Sequence, residues 1–169
     1  MSPETPLLAE SFPESSHLGT LLRNQHLHLA VAESCTGGLL GATLTAIPGS
    51  SDYFLGGVIA YSDAVKTALL GVSPQTLQSH GAVSDEVARE MATGARTHLR
   101  ADLAAAITGV AGPTSDASSK PAGLVYVAVA GPGNALRSVR LTDDHGREGN
   151  RAAAVRAAIA LLEAAASAP

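Results

Sequence analysis

The stretch Leu27-His28-Leu29-Ala30-Val31-Ala32-Glu33-Ser34-Cys35-Thr36-Gly37-Gly38-Leu39-Leu40 decides the fold. Its first six residues are mostly apolar and read as a strand over 27–32. The run stops at Glu33-Ser34-Cys35-Thr36-Gly37-Gly38, which is small and polar. Leu40, Leu44 and Ile47 then recur at helical spacing, with Pro48-Gly49 as the stop, so a helix is expected over 36–47. A serine on such a turn can hold its hydroxyl at the edge of a sheet, beside the free N–H groups of the first helical turn. Those groups suit an oxyanion or a bound anion. The plainer alternative is that Ser34 or Thr36 simply caps the helix.

Helices and strands alternate on either side of this unit. Residues 1–14, with prolines at 3, 6 and 13, read as a flexible N-terminal extension to one domain over 15–169. A helix is expected around Ser15–Asn24, and a β-rich run, Val58-Ile59-Ala60-Tyr61, ends a strand. A short helix starts at Ser62 or Asp63 and stops at Gly71. Ser84 reads as the N-cap of another, with Asp85 and Glu86 in its first turn. Leu103–Thr108, Leu124–Ala130 and Leu136–Leu141 read as strands, with a hairpin turn at Gly131-Pro132-Gly133-Asn134 between the last two. A polar turn, Thr142–Asn150, precedes a last helix with Val155, Ile159 and Leu162 on one face. Apolar strands alternating with helices imply a three-layer α/β/α sandwich with a mixed, mostly parallel sheet. The closeness of the last two strands forbids a crossover between them.

Composition narrows the function. The 169 residues carry a formal charge of −4 and no basic block, so nothing favours direct nucleic-acid binding. Three tyrosines, two phenylalanines and no tryptophan offer no stacking platform. A single cysteine excludes an internal disulfide and fits a reducing cytoplasm. No signal peptide or membrane-spanning run is recognisable. His26 and His28 are too few for a zinc site, and no metal or cofactor is expected.

Two further segments carry candidate chemistry. In Tyr61-Ser62-Asp63-Ala64-Val65-Lys66 the tyrosine ends a strand and the lysine lies early in the next helix. Ligands in α/β sheets favour the carboxyl ends of strands. A desolvated lysine there could act as base toward Ser34, whereas an exposed one would be inert. Thr108-Gly109-Val110-Ala111-Gly112-Pro113 follows another strand, and its glycines allow close backbone approach to a ligand.

These segments, with Pro48-Gly49-Ser50-Ser51, Gly71-Val72, His80-Gly81-Ala82-Val83-Ser84 and Lys120-Pro121-Ala122-Gly123-Leu124-Val125-Tyr126, occur in one order and near one set of spacings. By them the chain, from about residue 15 to 165, resembles the CinA C-terminal domain family, the nicotinamide-nucleotide amidases, in their stand-alone form. The resemblance implies hydrolysis of the carboxamide of nicotinamide mononucleotide to nicotinate mononucleotide and ammonia, in pyridine-nucleotide salvage. It puts the nucleophile on Ser34, its lysine partner on Lys66 and a catalytic tyrosine on Tyr61. The substrate contacts expected are Glu33, Cys35, Thr36, Gly37, Gly38, Thr108, Gly109, Gly112 and Arg151, with Arg147 in reserve for the arginine. An oxyanion is expected on the N–H groups of Cys35–Gly38.

The chain departs from the family pattern in three places. Thr114-Ser115-Asp116 stands where paired glycines are frequent, Asp63 where asparagine is common, and Gly149-Asn150-Arg151 where the family has Gly-Asp-Arg. Cys35 beside a helix N-terminus is the rival nucleophile. Glu33 could assist Lys66 or pin it in the charged form. The alternative functions are a non-catalytic nucleotide- or protein-binding relative linked to competence or DNA damage, and an amidase for another small amide. The expected partner is the small nucleotide alone, without nucleic acid or membrane, and a homo-oligomer stays open.

Overall fold

The computed structural model describes residues 7–168. Five strands form one sheet in the order β2-β1-β3-β4-β5: β1 (Leu29–Glu33), β2 (Phe54–Ile59), β3 (Leu103–Gly109), β4 (Val125–Ala130) and β5 (Leu136–Leu141). β1 pairs in parallel with both β2 and β3. β4 is antiparallel to β3, and β5 to β4, so only β4 runs against the rest. The helices are α1 (Leu8–Ser11), α2 (Glu14–Asn24), α3 (Leu39–Thr45), α4 (Asp63–Leu70), α5 (Pro74–His80), α6 (Asp85–Leu99) and α7 (Gly146–Ala166).

Alternation along the strands divides the core into two unlike faces. Leu29, Val31, Leu103, Ile107, Val127 and Val129 pack with Leu18 and Leu22 of α2, Leu40 and Leu44 of α3, and Ile159 and Leu162 of α7. On the other face Ala30, Ala32, Ala104, Ala106, Ala128 and Ala130 meet Val87 and Met91 of α6 and Leu70 of α4. Alanine there lets α6 lie close to the sheet. Gly94 of α6 in turn lets α4 approach, since a Cβ on it would stand 1.8 Å from the Leu70 carbonyl oxygen.

Several boundaries differ from those expected. Residues 1–6 of the expected extension lie outside the described residues. Within the remainder, Leu8–Ser11 is a helical turn and Phe12 is buried in the core, so this part is packed rather than loose. The polar turn expected over 142–150 is shorter, because α7 starts at Gly146 and buries Asn150. Asn150 explains the early start. Its Oδ1 accepts from the His145 N–H, and its Nδ2 donates to the Ala111 carbonyl and to Asp144. His26 and His28 precede β1, with His26 at φ 54°, so they do not share a strand face. α5 was not expected, although Ser73 caps it and Pro74 opens it.

Candidate active site

The chain leaves β1 through α3 to reach β2 on one side, then returns through α4, α5 and α6 to β3 on the other. These crossovers lie on opposite faces, so β1 and β3 flank the point where the connections diverge. A crevice forms there, at the carboxyl ends of the strands. Register makes Glu33 level with both Ile59 and Ile107, which places Ser34 beside Ala60 and Thr108. The Ser34 N–H donates to the Ile107 carbonyl and fixes that level. A cleft of about 230 Å³ opens here, lined by Ser34, Cys35, Tyr61, Lys66, Thr108 and Gly109, with Asp63, Asp116 and Arg147 also on its wall. The three segments singled out in the sequence therefore meet in one place.

The N–H groups of the turn are mostly committed. Gly37 N–H donates to the Ser34 carbonyl, and Leu39 N–H to that of Thr36. Glu33 takes three more: Oε2 accepts from Gly38 and Leu40, and Oε1 from Gly41. The carboxylate thus caps α3 from the preceding strand. It is buried, does not line this cleft, and makes no hydrogen bond or ion pair with Lys66. Within this turn only the N–H groups of Cys35 and Thr36 donate to no other residue among the described residues.

Lys66 is 1% exposed. Its Nζ donates to the Tyr61 carbonyl at 3.3 Å and lies 3.5 Å from Asp63 Oδ1. Burial lowers its pKa, and the Asp63 carboxylate partly opposes that. Cys35 is buried as well, and burial, reinforced by Glu33, pushes its thiol up to about 11. A thiol held that high is not a thiolate at neutral pH, so Cys35 lacks the activation expected of a thiol beside a helix N-terminus.

The remaining expected residues are placed as follows. Tyr61 lines the cleft with a largely exposed ring. Thr108 Oγ1 donates to the Ala82 carbonyl and so ties the 81–84 loop to the end of β3. Gly109 is pressed against β4, where a Cβ would come within 2.7 Å of Val125. Gly112 gives its carbonyl to Arg147 Nη1 at 2.7 Å. Arg151 does not line the cleft. It bonds Glu148 and donates from Nη2 to the Thr36 carbonyl, bracing the serine turn from behind. Arg147, the reserve, is the arginine on the cleft wall. Asp116 escaped the sequence reading because it sits in a polar loop without periodicity. Among the described residues, no group of three or more His, Cys, Asp or Glu side chains is placed to hold a metal ion.

The model of the CinA C-terminal domain matches residues 13–166. The chain belongs to this family. A CinA-like protein of Trichormus variabilis is 55% identical over 126 residues, which is 75% of this chain and 30% of that protein. A putative competence-damage inducible protein of Halothermothrix orenii is 50% identical over 134 residues, 79% of this chain and 32% of that one. The match therefore spans about a third of the length of these curated relatives. Solved structures agree along nearly all of the chain. The competence/damage inducible protein CihA of Agrobacterium tumefaciens superposes with a TM-score of 0.88 at 37% identity, covering 97% of this chain and 98% of that one. A CinA superfamily protein of Klebsiella pneumoniae gives 0.89 at 35% identity, covering 93% and 98%. The three-layer sandwich with its mixed sheet is thus the fold of CinA superfamily proteins, and no described helix is long and apolar enough to cross a membrane.

Proposed function

We propose that this CinA-family chain is a nicotinamide-nucleotide amidase acting through Ser34 and Lys66. The observation that carries the reading is a desolvated lysine sharing one cleft with a serine whose turn keeps two N–H groups free. Neutral Lys66 takes the Ser34 proton as Oγ attacks the carboxamide carbon. The oxyanion settles on the N–H groups of Cys35 and Thr36. Protonated Lys66 passes its proton to the amide nitrogen, the C–N bond breaks and ammonia leaves. Water then attacks the acyl-serine ester, giving its proton to Lys66, and nicotinate mononucleotide is released with the Ser34 hydroxyl restored. Lys66 Nζ donates to the Tyr61 carbonyl in the resting site and leaves it for Oγ in the reaction. Tyr61 contributes an exposed ring to the cleft wall. Arg147 takes over from Arg151 as the group for the 5′-phosphate, because its guanidinium reaches the cleft and bonds no carboxylate. A reducing cytoplasm, where pyridine nucleotides are recycled, suits the single buried thiol.

Ammonia release from nicotinamide mononucleotide is the test, run beside Ser34→Ala and Cys35→Ala. Ser34→Ala loses about three orders of magnitude or more in kcat. Cys35→Ala retains turnover, because only its backbone is used. A folded wild type that releases no ammonia overturns the amidase and leaves the reading of a competence-linked binding protein.

A further inference from the structure

Asp116 has no part in the reaction just described, yet it is built into the cleft. It is the half-buried member of a polar loop in which Thr114, Ser115, Ala117, Ser118 and Ser119 are exposed. The loop is pinned. Its Lys120 Nζ donates to the carbonyls of His80 and Val83, and Asp116 N–H donates to the Lys120 carbonyl. Asp116 Oδ1 accepts three hydrogen bonds, from the Ser118 N–H and hydroxyl and from the Lys120 N–H. Burial pushes the carboxyl up, but these bonds outweigh it and hold Asp116 below the usual carboxylate range. Oδ2 accepts from no protein group among the described residues.

Arg147 lines the same cleft with most of its N–H groups unused, and no ion pair joins it to Asp116. Beside the Asp63–Lys66 pair, the cleft thus keeps two opposite charges, Asp116 and Arg147, that are not paired with each other. The geometry points to Asp116 as a specificity-determining residue that selects ligands carrying a cationic ring as well as an anionic group. Its free oxygen attracts the positive ring while Arg147 attracts the phosphate. This rests on the amidase reading and deepens it. The oxidised pyridinium ring of nicotinamide mononucleotide is such a cation, and its reduced dihydropyridine form is not. Asp116 therefore makes the site read the oxidation state of the ring, which no contact to the phosphate can do.

The test uses Asp116→Asn, which keeps the Oδ1 acceptor and the loop but removes the charge. Dissociation constants are measured by calorimetry on the Ser34→Ala background for three ligands. These are the oxidised mononucleotide, its reduced form and the oxidised riboside without phosphate. Asp116→Asn weakens both oxidised ligands about three- to tenfold and leaves the reduced mononucleotide where it was. Arg147→Ala weakens the two mononucleotides and spares the riboside. Equal weakening of all three ligands by Asp116→Asn, or of none, overturns the proposal. Ser118→Ala, which removes a loop bond and keeps the charge, shows what purely structural damage looks like. Turnover by the wild type decides the amidase separately. Ring-selective binding without ammonia release sinks the amidase and keeps Asp116, and ammonia release without ring selectivity does the reverse. Failure of all three ligands to bind sinks both.

Discussion

At the scale of single residues, Lys66 is the expensive one. A lysine whose pKa is lowered in the fold binds its proton less tightly there than in the unfolded chain. Between the two pKa values the unfolded state holds more protons, so folding stability rises with pH across that window and is lowest below it. Lys66→Met should therefore stabilise the protein by about 1 kcal/mol at neutral pH while abolishing turnover, read from urea midpoints beside ammonia release. The proposed catalysis needs the neutral amine, so activity should climb as pH rises through the Lys66 pKa. The groups facing Nζ are Asp63, Cys35 and Tyr61, and the Asp63 carboxylate is the one that most opposes the lowering of the Lys66 pKa. Asp63→Asn should move the acidic limb of the pH–rate profile to lower pH and raise activity at neutral pH. An unmoved limb would show that another group titrates. The sequence placed Ser34, Tyr61 and Lys66 at strand ends and early helix, but burial of Lys66 comes from packing by distant segments, which no local pattern records.

At the scale of elements, β1 and α3 are joined by more than a turn. Glu33, the last residue of β1, satisfies three N–H groups at the start of α3, as a side-chain cap ordinarily would for one. Glu33→Ala should cost about 3 kcal/mol, visible as a lower melting temperature, because one buried and two half-buried donors lose their shared acceptor. The contact between α4 and α6 gives the opposite of the usual helix rule. Glycine to alanine normally strengthens a helix by about 1 kcal/mol. Gly94→Ala should instead destabilise by about 2 kcal/mol, since the methyl meets the Leu70 backbone and the helices must part. Strands, caps and most helices were legible from apolar runs and from Ser62, Gly71 and Ser84. The beginning of α7 was not, because Asn150 makes its bonds to residues that look like loop, and a polar residue at a helix start resembles any other polar residue.

For the whole molecule, the two faces of the sheet set how it tolerates change. Ala106 and Ile107 are neighbours on β3, both fully buried, and they point to opposite layers. Ile107→Ala opens a cavity and should cost about 3 kcal/mol. Ala106→Val pushes α6 outward and should cost about 1–3 kcal/mol for adding two methyl groups. Comparable losses from opposite volume changes at adjacent positions, measured by denaturant unfolding, would demonstrate the asymmetry. The order of elements and the alternation of apolar strands made the layers legible. That three separated segments converge at one end of the sheet follows from the crossovers, and spacing alone could not supply it.

The carboxylate that occupies the start of α3 also decides which small anions this protein will notice. Many strand–turn–helix units leave that helix end open, and sulfate or phosphate from the buffer settles there. Here the chain has filled its own seat with Glu33. On the proposed reading, inorganic phosphate has Arg147 left to bind, at the far end of the nucleotide from the amide. It should therefore act as a competitor of the nucleotide tail, and nicotinamide without its ribose phosphate should be indifferent to how much phosphate the medium contains.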